Sequence, residues 1–195
     1  MNSTDLTPDD REHLLSVAED TIAYGLEAKR YRPVEQKDYR VRLCEFSASF
    51  VTLFLHGQLR GCIGNLQASR PLIEDVAHNA YAAAFRDPRF EPVTWGEFLE
   101  LQIEISVLSP LQPLRFENEA GLLEQLRPGV DGVVFEAGQY RATFLPKVWE
   151  NLPAKQMFLG ELKNKAGLKS DFWSKDVNVQ RYTTFTFSSR EMKGA

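Results

Sequence analysis

Apolar residues at Leu14, Leu15, Ala18, Ile22 and Leu26 recur at steps of three and four, with polar residues between them. That spacing predicts an amphipathic helix. Thr7-Pro8-Asp9-Asp10 supplies its start: a capping hydroxyl, a proline at the first helical position and acids in the first turn. The periodicity stops near Ala28, and the polar stretch from Lys29 to Arg42 reads as a loop. Ser49 to Leu55 and Leu59 to Gly64 read as strands joined through His56-Gly57-Gln58. Ser69-Arg70-Pro71 opens a second helix. Its Leu72, Ile73, Val76, Ala77, Ala80, Tyr81, Ala84 and Phe85 make a broad apolar face, and Pro88 ends it.

Thr94-Trp95-Gly96-Glu97 fits a capping box on a short helix. From Gln102 to Leu108 the pattern alternates, with Ile103, Ile105 and Val107 on one side and Glu104 and Ser106 on the other. Pro110 and Pro113 close that strand. Asn118 to Leu126 reads as a short helix, and Val133 to Glu136 with Tyr140 to Phe144 as a hairpin. Ala154 to Ala166 reads as a helix with Lys163 and Lys165 in its last turn and Gly167 as its stop. Val177 to Phe187 reads as one final strand. Helices mixed with hairpins favour an α+β fold of mostly antiparallel sheets flanked by helices over a doubly wound parallel sheet.

The 195 residues, 43% of them hydrophobic, suit a single domain over 1–195 with its core at about 8–188. No apolar run reaches the length of a membrane span, and the polar, acidic opening is unlike a secretory signal. A cytoplasmic protein is expected. The net charge is −4, yet residues 141–195 hold ten basic and five acidic residues. That excess is modest and has no interleaved aromatics, which weighs against nucleic acid as a partner. Cys44 and Cys62 stand alone and His13, His56 and His78 lack ligand spacing. Neither a disulfide nor a metal is expected. No dinucleotide fingerprint or cluster-binding cysteine set occurs, so no cofactor is expected either.

The candidate chemistry lies in Leu59-Arg60-Gly61-Cys62-Ile63-Gly64. Strand alternation would point Arg60 and Cys62 to one face. Gly61 and Gly64 would leave the backbone approachable, or else serve close packing or a bulge. Arg60 could clamp a carboxylate or phosphate of a small anionic ligand, or pair with Glu104 or another strand acid. Cys62 could line a pocket, or act as a nucleophile if a cation lowered its pKa, with Glu104 or His78 as base. Arg86-Asp87-Pro88-Arg89-Phe90 forms a second cluster, readable as an anion or partner contact or as a helix stop with a local Asp–Arg pair. Thr143, in Ala142-Thr143-Phe144-Leu145-Pro146, adds a hydroxyl at the margin.

These residues together carry a resemblance. The chain is similar to the AMMECR-domain family, whose prokaryotic members are called protein A of the AmmeMemoRadiSam system. The six-residue signature stands intact at 59–64. The likeness continues through Ala83-Ala84-Phe85-Arg86-Asp87-Pro88-Arg89-Phe90, Glu104-Ile105-Ser106-Val107-Leu108, Asp131-Gly132, Ala142 to Pro146 with Trp149, and Lys165-Ala166-Gly167-Leu168. Lys147 departs from the expected glutamine, so position 147 is a poor catalytic candidate. The resemblance implies a larger and a smaller subdomain with a cleft lined by the signature. It also implies association with a Memo-like protein and a radical-SAM protein. The family has no settled activity, so the resemblance implies a fold and partners rather than a reaction. The expectation is a binding or accessory protein whose surface includes Arg60, Gly61, Cys62, Gly64, Arg86, Asp87, Arg89 and Thr143. Its alternative is an enzyme with Cys62 as nucleophile acting on a small anionic substrate.

Overall fold

The computed structural model describes residues 6–35 and 39–189. Residues 36–38 of the expected first loop lie outside them. Helix α1 spans Pro8–Ala28, and the Thr7 hydroxyl and Asp10 carboxylate close a capping box at its start. A 3-10 turn follows at Val41–Cys44. Strands β1 (Ser49–Leu55) and β2 (Gln58–Gly64) form the expected hairpin. Helix α2 covers Leu72–Phe85, and its cap residue is Pro71, which supplies no side-chain capping hydrogen bond. Helix α3 (Trp95–Phe98) keeps the Thr94–Glu97 capping box, and β3 runs over Leu101–Leu108.

Next come the short strand β4 (Gln112–Pro113), helix α4 (Glu119–Gln125), and the hairpin β5 (Gly132–Ala137) and β6 (Tyr140–Phe144). A 3-10 turn at Pro146–Glu150 precedes helix α5 (Lys155–Lys165). The last stretch is not one strand. It divides into β7 (Val177–Tyr182) and β8 (Thr184–Ser188), which enter different sheets.

The fold is α+β with two antiparallel four-stranded sheets, ordered β2-β1-β3-β8 and β4-β7-β5-β6. Two compact units result. The first holds the described residues up to Ser109 together with those from Phe185, and the second holds Pro110–Thr184. In the first, Val51 and Leu53 of β1, Ile103, Ile105 and Val107 of β3 and Phe187 of β8 pack with Leu14, Ala18 and Ile22 of α1 and Ile73, Val76 and Ala80 of α2. The inward side chains follow the alternation in the sequence, because only one face of this sheet meets the helices. In the second unit Val133, Phe135, Val179, Trp149, Phe158 and Leu162 form a separate core, with Trp149 stacked on Phe158 at 3.6 Å. Among the described residues no helix is long and apolar enough to cross a membrane.

Candidate functional site

The signature occupies β2, and its pairing with β1 carries one irregularity. Leu53 faces Gly61 and Phe54 faces Leu59, so Arg60 is the extra residue of a bulge. Alternation therefore no longer decides where Arg60 points; its contacts do. Its Nε donates to Glu97 Oε1 at 2.7 Å, and its Nη2 donates to Glu97 Oε2 at 3.1 Å and to the Glu91 carbonyl at 2.9 Å. Phe90 lies beside the guanidinium, 5.8 Å from ring centroid to the carbon. The carboxylate that holds Arg60 is thus Glu97, rather than Glu104. Glu97 also accepts from the Thr94 amide and hydroxyl in the capping box. The guanidinium first, and the Thr94 donors after it, pull the Glu97 carboxyl down to about 2.

Cys62 is held through its backbone by the second cluster. Its N–H donates to Asp87 Oδ2 at 2.9 Å, and its carbonyl accepts from Arg89 Nη2 at 3.2 Å. Arg89 in turn grips Asp87 through Nε at 2.9 Å, Nη2 at 2.7 Å and its own amide at 3.1 Å. Asp87 is almost wholly buried, at 1% side-chain exposure. Hydrogen bonds from Arg89, ahead of the Cys62 amide, hold its carboxyl far below the usual range. The helix stop and local Asp–Arg pair are both present, and the pair also holds the backbone of the signature cysteine on either side of its Cα.

The thiol faces along the sheet. Cys62 pairs with Thr52 on β1, and Thr52 pairs with Glu104 on β3. The three side chains form a row on the face opposite the helices, in which the Thr52 hydroxyl donates to Cys62 Sγ at 3.3 Å. At the ordinary strand spacing the backbones of Cys62 and Glu104 are about 10 Å apart, with Thr52 between them. One step along, the hydroxyls of Ser106 and Thr186 meet at 2.8 Å. Sequence pattern alone does not single out Thr52; the hairpin register set by His56-Gly57 is the signal that places it opposite Cys62.

The remaining candidates divide. Gly61 and Gly64 answer to packing: a Cβ on Gly61 would come closer than 3.0 Å to the Ala83 carbonyl of α2, and one on Gly64 would meet the Phe50 ring and the Ser49 carbonyl as closely. Arg86 is exposed, with its guanidinium over the Tyr81 ring at 5.1 Å. His78 lies on α2 against the ring of Tyr31 at 5.9 Å. His56 sits in the β1–β2 turn at φ 51°, 3.6 Å from Glu100. Thr143 belongs to the second unit, where its hydroxyl donates to the Val133 carbonyl at 2.9 Å and meets the Tyr182 hydroxyl at 2.9 Å. Among the described residues no group of three or more His, Cys, Asp and Glu side chains is placed to hold a metal.

A family model described as AMMECR1 matches residues 15–187. Protein MK0488 of Methanopyrus kandleri is 33% identical over 198 residues, covering 97% of this chain and 93% of its own. Protein NEQ441 of Nanoarchaeum equitans is 35% identical over 165 residues, covering 83% and 89%. The crystal structure of the uncharacterized protein PH0010 from Pyrococcus horikoshii superposes with a TM-score of 0.83 at 33% identity, covering 91% of this chain and 90% of that one.

Proposed function

Because this chain belongs to the AMMECR1 family, we propose that it works as a binding or accessory component through the sheet face that carries Cys62, Thr52 and Glu104. One observation carries the reading: the charges next to Cys62 are already matched within the protein. Arg60 is engaged by Glu97 and Arg89 by Asp87, so both arginines act as struts that fix β2. The thiol accepts from a hydroxyl, and the acid of its row stands two strands away. This is a preorganised surface rather than a nucleophile beside its base. The proposed partners are a Memo-like protein and a radical-SAM protein, as the family resemblance implies. A cytoplasmic setting goes with them, since there a half-buried thiol stays reduced. A small anionic ligand is proposed as well; to reach one, Arg60 would exchange Glu97 for it.

The alternative is an enzyme with Cys62 as nucleophile and Glu104 as base. Alkylation of folded protein by iodoacetamide at pH 7, in a Cys44→Ala background, separates the two. The binding reading expects Cys62 to react no faster than free cysteine under the same conditions. Reaction about tenfold faster, slowed by Glu104→Gln, would overturn it in favour of the enzyme.

A further inference from the structure

The first sheet has two edges, and they differ. On β2 the outward-facing peptide groups of the signature cysteine are taken: its amide donates to Asp87 and its carbonyl accepts from Arg89. The bulge at Arg60 breaks the line of that edge further. Covered peptide groups and bulges keep a strand edge from pairing with another chain. The opposite edge is β8, five residues with no charge, proline or glycine: Thr184-Phe185-Thr186-Phe187-Ser188.

The ladder decides which peptide groups β8 turns outward. Along an antiparallel strand, successive residues direct their N–H and C=O groups to opposite neighbours. The Leu108 amide donates to the Ala48 carbonyl at 2.9 Å, so Leu108, Ser106 and Glu104 face β1 while Val107, Ile105 and Ile103 face β8. The Ile103 amide accordingly reaches Ser189 Oγ at 3.1 Å. The hydroxyl contact at 2.8 Å sets Ser106 opposite Thr186. Phe185 and Phe187 therefore turn their backbones to β3, and Thr184, Thr186 and Ser188 turn theirs outward. Among the described residues no side chain or loop bonds to those three peptide groups. The side chains sort by face as well. Phe187 is buried in the core on the helix side and Phe185 packs against that core, while Thr186 is exposed on the other side.

We propose that β8 pairs antiparallel with β8 of a second copy of this chain, about a twofold axis at Thr186. The strand is its own complement in that register. Thr186 meets the partner's Thr186, Thr184 meets the partner's Ser188, and Phe185 meets the partner's Phe187. Hydroxyl faces hydroxyl and ring faces ring, both favourable cross-strand pairs. Each outward N–H and C=O gains a partner. A twofold axis sets any charge on it against its own copy, and β8 carries none. A strand of another sequence would find the same backbone, but a second copy supplies the match on both faces. Two four-stranded sheets become one of eight strands. Both rows of Cys62, Thr52 and Glu104 then lie on one continuous face, and the pairing does not depend on what that face binds.

Sedimentation equilibrium of the full chain tests it. The interface is one strand wide, so association should be weak. The mean mass should rise from 22.2 kDa toward twice that between about 10 µM and about 1 mM. Thr186→Lys and Thr186→Glu each place like charges at the axis and should weaken dimerisation about tenfold or more. An equimolar mixture of the two should restore it, because opposite charges then meet. Thr186→Cys covers the case in which a charged variant fails to fold, since it is nearly isosteric with the parent. Its two Cα atoms would lie about 5.5 Å apart across the axis, within disulfide range. Mild oxidation should link two copies of Thr186→Cys but not of Ser188→Cys, whose position lies two residues off the axis. A mass of 22.2 kDa throughout overturns the proposal. So does a dimer that Thr186→Lys leaves intact, a mixture of the folded charge variants that stays monomeric, or linkage of Ser188→Cys as ready as that of Thr186→Cys.

Discussion

Glu97 serves two structures at once, closing the cap of a short helix and clasping Arg60 in the bulge of β2. Its carboxyl lies at about 2 in the folded protein against an ordinary 4.5, so the charged form is the stabilising one. The stabilisation is fully present above pH 4.5 and is lost as pH falls toward 2. Glu97→Gln should therefore lower stability by about 2 kcal/mol at pH 7, by the linkage of pKa to folding. Urea unfolding across pH 2–6 should show a flatter acid limb in the variant. Asp87 contributes in the same direction below its ordinary 3.8, so some slope should persist. Removing that carboxylate strands Arg89 and the Cys62 amide together, and Asp87→Ala should cost about 3 kcal/mol in the same assay. The sequence brought Arg60, Cys62, Asp87 and Arg89 forward as a set. It could not show that the partner of Arg60 lies 37 residues on, because a capping box explains Glu97 fully without it.

At the level of elements, the signature glycine is there for a helix. Gly61 lets the Ala83 carbonyl of α2 approach β2, so Gly61→Ala should push helix and strand apart and destabilise by about 2–3 kcal/mol, an overpacking effect. Gly96→Ala in α3 has open space around the added carbon and should stay within about 0.5 kcal/mol of the parent. Thermal unfolding of the pair makes the comparison. Most elements were legible because their apolar period is set by a single buried face, as in α1 and β3. Two features were not. The bulge at Arg60 leaves no trace in an alternating pattern. The break at Thr183 divides a continuous run of aromatic and β-branched residues, and local propensity is equally content with one strand or two.

For the whole molecule, the last described strand matters most. Ser106 meets Thr186, and the Ser189 hydroxyl accepts from the Ile103 amide, so β8 runs antiparallel to β3 and brings Thr184 beside the end of β3. The second unit is thus a contiguous insertion whose two points of departure are neighbours in one sheet. Replacing residues 110–183 with a short Gly/Ser linker should leave the first unit folded, with dispersed amide NMR signals; collapse of those signals would show that its core needs the insertion. The same arrangement sets an order of events during synthesis. The strands of the second unit are all synthesised while the sheet of the first still lacks β8. At roughly 5–20 residues per second, β3 waits with one side open for about 4–15 s before its neighbour is made. A ribosome-tethered chain truncated after residue 184 and extended by a Gly/Ser linker long enough to clear the exit tunnel should therefore carry a protease-resistant second unit and a first unit still open to cleavage.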